Sequence, residues 1–261
     1  MFKTSKLYYV DPYATSCSTA WRMVNSKTMA IARSVAFPEG GGQLGDWGVV
    51  EQGEKILRFV DCQSRIGLGR TIIRDDFPVI NVEGEVHLIF DEDITDVFSS
   101  DFPVKVTIDI DRRIRLSQSH SASHLLYLAM TRLRPDVPTA TVGCQIRPEG
   151  GRFDVAVEKF SPEDLVTLSE IVQELRSLSP RIEIASLPGE PECRIWQLDN
   201  TKIPCGGTHV EHLMDIPIMH LRRVNKGKGL ERIEYRLDPT DAPVLREKFF
   251  PSKSANTGSS L

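Results

Sequence analysis

Two short motifs, eighty residues apart, constrain the fold of this chain more than its composition does. His120 and His124 stand in HSASH, and Cys205 and His209 stand in PCGGTH. HSASH falls in SQSHSASHLLYLAMTRL, Ser117 to Leu133, where Leu125, Leu126, Leu128, Ala129 and Leu133 recur at helical spacing. Ser117 or Ser119 is expected to cap this helix. Side chains at i and i+4 leave a helix on one face, so both imidazoles reach one ion. Cys205 and His209 repeat the offset around Gly206 and Gly207, which are expected to let the backbone bend so that both ligands face inward. Three nitrogens and one thiolate suit tetrahedral zinc. The ligand count fits a closed structural site as well as a catalytic site with one open position.

The rest of the chain reads as strands first, then helices mixed with strands. KILRFVD and EVHLIFD are short β-type runs between turn signals. In PVKVTIDID, Val104, Val106, Ile108 and Ile110 alternate with Lys105, Thr107 and Asp109, which predicts a half-buried strand. TATVGCQIRPEGGRFDVAV reads as two strands around a turn at PEGG, and RIEIASL as another. SPEDLVTLSEIVQELRSL is a helix with Ser161 as N-cap and Pro162 in its first turn. Its apolar face is Leu165, Leu168, Ile171, Val172 and Leu175. Two more strands are expected around Ile216–Val224 and Leu230–Leu237. This order predicts an α+β protein: a small β-barrel-like unit over 1–108, then a two-layer α/β domain with an antiparallel sheet over 109–245. The small, polar residues of 246–261 predict a disordered tail.

A chain of 261 residues with 40% hydrophobic side chains can bury a sizeable core. It has no run of 18 apolar residues and no signal-peptide h-region near Met1. Its five cysteines are an odd, scattered set that does not read as a disulfide framework. A cytoplasmic protein with reduced thiols and no membrane partner is expected. The net charge of −4 gives no support for nucleic-acid binding by the chain as a whole. Locally, LRRVNKGKGLER carries Arg222, Arg223, Lys226, Lys228 and Arg232 against Glu231 alone.

FPEGGGQLGDWG, Phe37 to Gly48, is the other dense motif. It lacks the Gly-Lys-Ser/Thr ending of a P-loop and the strand–helix context of a dinucleotide fingerprint. Gly40, Gly41 and Gly42 permit a tight bend and close approach of backbone to a ligand. Gln43 supplies an amide beside them.

PEGGGQLGDWG, HSASHLL and PCGGTHV, in that order and followed by GKGLERIEY, together resemble the editing domain of alanyl-tRNA synthetases and its free-standing relatives. The resemblance runs from about Lys6 to Leu237. It implies a zinc-dependent hydrolase holding one ion through His120, His124, Cys205 and His209. Its substrate would be the acceptor stem of tRNA(Ala) carrying a wrong amino acid, chiefly serine and secondarily glycine. The family glutamine falls on Gln43 and its threonine on Ser34, in RSVAF, and both would read the polar groups of the amino acid. Leu44 and Trp47 depart from the family pattern, and Ser121 and Ser123 stand where threonines are common. No aminoacylation core fits beside the editing unit, which implies action in trans. Arg222, Arg223, Lys226 and Lys228 are the expected contacts to acceptor-stem phosphates. Three other readings stay open: a threonyl-type editing unit, a zinc hydrolase of small esters, and a non-catalytic zinc module that binds RNA.

Overall fold

The computed structural model describes residues 3–178, 180–227, 229–239 and 243–249. Its first part carries strands β1 (Ser5–Lys6), β2 (Ser16–Thr19), β3 (Trp21–Asn25), β4 (Thr28–Ile31), β5 (Arg33–Ser34), β6 (Gly48–Gln52), β7 (Lys55–Arg65), β8 (Arg70–Arg74), β9 (Phe77–Val82), β10 (Glu85–Phe90) and β11 (Val104–Ile108). Seven of these form one sheet in the order β2-β11-β6-β7-β10-β4-β3. Every neighbouring pair in it is antiparallel. The two edge strands, β2 and β3, are separated in the chain only by Ala20. The sheet therefore curls into a half-barrel whose edges approach at that residue without ladder pairing. Met29, Ile31, Val50, Phe59, Leu88 and Val106 fill its inside. Alternation explains the filling, since residues two apart share a face.

The second part holds α1 (Ile110–Leu133), α2 (Val137–Ala140), β12 (Thr141–Arg147), β13 (Gly150–Val155), α3 (Pro162–Leu178), β14 (Glu183–Leu187), β15 (Glu190–Leu198), β16 (Thr201–Pro204), β17 (Met219–Asn225), β18 (Glu231–Leu237) and α4 (Pro243–Phe249). Strands β12-β13-β18-β17 make an antiparallel sheet, and β14-β15-β16 a smaller one. Phe153, Val155, Ile233 and Tyr235 point from the four-stranded sheet into a core shared with α1 and α3. That core is separate from the one inside the half-barrel. The capping of α3 is as expected: the Asp164 N–H donates to Ser161 Oγ, and the Ser161 N–H donates to Asp164 Oδ2. The architecture is thus α+β with mostly antiparallel sheets.

Three expectations need correction. The central helix starts at Ile110, not near Ser117, because Asp109 rather than a serine caps it, accepting the Arg112 N–H at 2.8 Å. The β pattern that ran through Asp109 and Ile110 ends at Ile108. Ser117 and Ser119 lie inside the helix, where their hydroxyls bond outward to Thr208 Oγ1 and the Gly150 carbonyl. Residues 246–249 are helical rather than disordered. Leu245 enters the core, Phe249 packs edge-on to Tyr13 at 5.2 Å, and Lys248 pairs with Glu211 at 2.9 Å. The remainder of the expected tail, 250–261, lies outside the described residues. Among the described residues no helix is long and apolar enough to cross a membrane, and all five cysteines are unpaired.

Candidate metal centre and its cavity

α1 is buried on almost every side. Each residue from Leu116 to Leu126 is buried, because the helix packs on α3, β12 and β13 and meets the glycine loop at Gln43, Gly45 and Asp46. This setting carries His120 and His124 inward, with ring centroids 5.2 Å apart and nearly parallel planes. The other two side chains arrive after β16. The Cys205 N–H is anchored on the Arg194 carbonyl at 2.9 Å. Cys205 Sγ lies 3.3 Å from His120 Nε2 and 3.3 Å from His209 Nε2. The candidate ligand atoms of His120, His124, Cys205 and His209 all fall within 4.8 Å of one another. Ligands around a tetrahedral zinc stand about 3.3–3.8 Å apart, so the donor set fits one ion with little adjustment.

Gly207 is required here for space rather than for an unusual backbone angle. A Cβ at that position would sit 2.0 Å from His120 Cε1. Neither Gly206 nor Gly207 has a positive φ, and the backbone bends at Gly207 as expected. The positive φ values fall on Gly41 and Gly42, at 59° and 86°. Gly42 also packs closely on Cys144, and the loop pairs with β12 through Gly42 O to the Ile146 N–H at 2.7 Å. The glycine loop thus docks one half of the molecule on the other.

Gln43 and Ser121 hold two of the imidazoles from behind. Gln43 Oε1 can only accept, so the 2.6 Å contact assigns the proton to His120 Nδ1 and leaves Nε2 bare toward Cys205. The same oxygen accepts the Thr208 N–H at 3.1 Å, and Gln43 Nε2 donates to Thr208 Oγ1 at 3.1 Å. Ser117 donates to that hydroxyl as well. Ser121 Oγ stands 3.2 Å from His209 Nδ1 and accepts the Val210 N–H. The Trp196 ring stacks on His124 at 4.8 Å.

Burial sets the protonation of the metal-free site. It pushes the Cys205 thiol up to about 12, against a hydrogen bond from the Gly207 backbone. It pulls His124 down to about 3. His120 and His209 fall well below the ordinary histidine range through burial first and neighbouring imidazoles second. Without metal the cluster is neutral.

A cavity of about 450 Å³ opens beside the cluster. His124, Cys205, Gly206 and Gly207 line it, together with Tyr8 and Tyr9. The β8–β9 hairpin contributes Phe77 and Asn81. Gly40 and Gly41 also line the cavity. Ser34 and Gln43, expected to read a bound amino acid, lie behind its surface. Both are 0% exposed, and the Ser34 hydroxyl donates to the Ala36 carbonyl at 2.7 Å.

The expected basic cluster is divided. Arg222 and Arg223 are adjacent on β17, so they point to opposite faces. Arg222 is 75% exposed, whereas Arg223 turns toward buried Glu231 and pairs with it. Lys226 is exposed in the β17–β18 turn, and Lys228 lies outside the described residues.

Sequence reasoning did not single out Thr208, Tyr9, Trp196 or the buried pair of Asp46 with Arg113, and it read Ser117 only as a cap. Thr208 had a signal, since it lies between the two ligands of PCGGTH. The others are brought in by long-range packing.

No family model matches the chain. It is 27% identical over 238 residues to the alanyl-tRNA editing protein AlaX-M of Pyrococcus horikoshii, covering 90% of this chain and 98% of that protein. The chain is thus similar along nearly its whole length to a protein named for alanyl-tRNA editing. It is also 27% identical over 267 residues to an alanine–tRNA ligase of Saccharolobus islandicus (strain L.S.2.15 / Lassen #1), covering 94% of the chain and 28% of the ligase. A ligase of Ignicoccus hospitalis is 28% identical over 195 residues, covering 74% of the chain and 19% of the ligase. The chain therefore spans between 19% and 28% of the length of these ligases.

Proposed function

We propose that the protein is an aminoacyl-tRNA deacylase that hydrolyses the ester of wrongly charged tRNA(Ala), chiefly Ser-tRNA(Ala) and secondarily Gly-tRNA(Ala). The observation that carries this reading is the opening of the His₃Cys cluster onto a cavity through His124 and Cys205. A structural zinc site is ordinarily closed by its four protein ligands and needs no such cavity. The end-to-end match with a protein named for alanyl-tRNA editing supports the substrate class.

His120, His124, Cys205 and His209 would hold one zinc ion. Bound there, zinc supplies a Lewis acid for the ester carbonyl or lowers the pKa of water toward about 7. The chain's own groups do the rest. Gln43 and Ser121 hold His120 and His209 through their Nδ1 atoms and act as positioning residues. The aromatic walls of the cavity exclude water from the acyl group. Tyr9 takes the reading role expected of Ser34 and Gln43. Its hydroxyl lies 2.8 Å from where a Cβ on Gly206 would stand, and the Arg194 guanidinium lies over its ring at 5.1 Å. Burial raises the Tyr9 phenol above its ordinary range, so it stays protonated and donates. A site that hydrogen-bonds the serine hydroxyl discriminates against alanine, which leaves that donor unpaired.

The test is hydrolysis of Ser-tRNA(Ala) beside Ala-tRNA(Ala), for wild type and Cys205→Ala. Loss of serine, sparing of alanine and dependence on Cys205 are expected. Metal-loaded protein that leaves every acyl-tRNA intact would defeat the proposal.

A further inference from the structure

The four-stranded sheet has a helix-covered face and an open face. The covered face carries Phe153, Ile233 and Tyr235 into the core. Strand register places the residues between them on the open side. Gln145, Arg152, Glu234 and Arg222 stand opposite one another in one row, and Arg147, Gly150, Arg236 and His220 in the next. Asp154 and Arg232 pair in the row beyond. Arg115 of α1 joins Arg147 along a groove at the edge of the sheet.

The balance of charge on this strip is positive in a chain whose net charge is −4. Arg115, Arg147, Arg152, Arg222, Arg232 and Arg236 face the carboxylates of Glu149, Asp154 and Glu234. Asp154 is shared, because Arg152 and Arg232 both donate to it. Arg222 approaches Glu234 only at 3.9 Å. Arg115, Arg147 and Arg236 have no ion-pair partner among the described residues. Between Arg147 and Arg236 the row is interrupted by Gly150, which has no side chain, so a groove is left with guanidinium groups on both banks.

We propose that this open face binds the phosphodiester backbone of the tRNA whose aminoacyl end enters the cavity. The inference rests on the deacylase reading for the identity of the RNA, and on charge complementarity for the location. Guanidinium forks match phosphate oxygens in pairs and tolerate any base sequence. Continuity with the cavity comes from β12. β12 is the edge strand of the sheet: Cys144 lies on the cavity wall on the Phe153 side, and Arg147 lies three residues on, about 10 Å along the strand and on its open side, so an RNA passing round this edge reaches both. The strip thus replaces the contiguous Arg222–Lys228 segment as the phosphate contact. It keeps Arg222, drops Arg223, and adds arginines from α1, β12, β13 and β18.

The experiment measures binding of uncharged tRNA(Ala) transcript across a salt series, for wild type, Arg147→Glu/Arg236→Glu, and Lys55→Glu as a control on the half-barrel. Deacylation of Ser-tRNA(Ala) and of a serine ester of adenosine is followed in parallel. The double variant should bind the transcript at least tenfold more weakly. Its slope of log Kd against log salt should fall by about 1–2. Its turnover of the small ester should match wild type, which shows that the fold is intact. Equal affinity and equal slope for the double variant and wild type would overturn the proposal. If no protein hydrolyses any ester while the double variant alone loses RNA, the sheet face stands and the deacylase reading falls. If deacylation proceeds with an unchanged KM for tRNA in the double variant, the deacylase reading stands and the sheet face falls.

Discussion

Gln43 and His120 come from different halves of the molecule and meet at 2.6 Å, amide oxygen to Nδ1. This contact fixes the imidazole tautomer and aims Nε2 at Cys205. It also makes the geometry of the metal cluster depend on how the glycine loop docks. Gln43→Leu removes the acceptor and should weaken zinc affinity by about 10–100-fold. Gln43→Glu keeps an acceptor oxygen and should recover most of that loss. Competition with a chromophoric chelator reads both, and equal affinity for wild type and the leucine variant would remove Gln43 from the metal shell.

Metal uptake should release a proton. The buried Cys205 thiol, at about 12, must lose its proton to bind, whereas His124, at about 3, is already neutral at pH 6–8. Apparent zinc affinity should therefore rise about tenfold per pH unit between pH 6 and 8. Titration calorimetry in buffers of different ionisation enthalpy counts the released proton. A pH-independent affinity would contradict the neutral-cluster description.

The metal-free protein should lose stability in acid. His120, His124 and His209 have folded-state pKa values below the unfolded value of 6.5. Below pH 6.5 the unfolded chain binds protons that the folded chain refuses, so stability is present above that pH and falls as pH drops. Each buried histidine contributes up to about 1.4 kcal/mol per pH unit in that range. Thermal melts with a chelator at pH 7.5, 6.0 and 5.0 should show a steepening fall in Tm. Replacing His209 by Gln should flatten it.

Arg113 and Asp46 form an ion pair that is almost fully buried, with side-chain exposures of 1% and 0%. Arg113 also donates to the Val35 carbonyl at 2.7 Å, and Asp46 accepts the Phe37 N–H. Arg113→Met strands the Asp46 carboxylate and should cost about 3–5 kcal/mol. Adding Asp46→Leu should restore part of that stability. Urea unfolding of the two variants checks the order.

Tyr9→Phe deletes the hydroxyl but keeps the ring against Arg194. It should lower kcat/KM for Ser-tRNA(Ala) by about 10-fold or more while leaving zinc content unchanged. Unchanged discrimination between serine and alanine would assign the reading role to another wall of the cavity.

Local spacing determined much of this protein before any folding was considered. The i, i+4 offset of His120 and His124 and the repeat of that offset in PCGGTH concern single elements, where backbone geometry sets the direction of each side chain. The strands over KILRFVD and EVHLIFD and the capped helix from Pro162 are legible for the same reason. Tertiary structure decided what these elements meet. α1 is buried on nearly all sides, so it has no polar stripe to mark its start at Ile110, and Ser117, Ser119 and Ser121 direct their hydroxyls to neighbouring elements. Gln43 and Thr208 are 165 residues apart and share two hydrogen bonds. Arg222 and Arg223 look alike in the sequence, but strand alternation sends one to solvent and the other to Glu231. Such outcomes depend on burial between segments remote in the chain, and no local pattern encodes them.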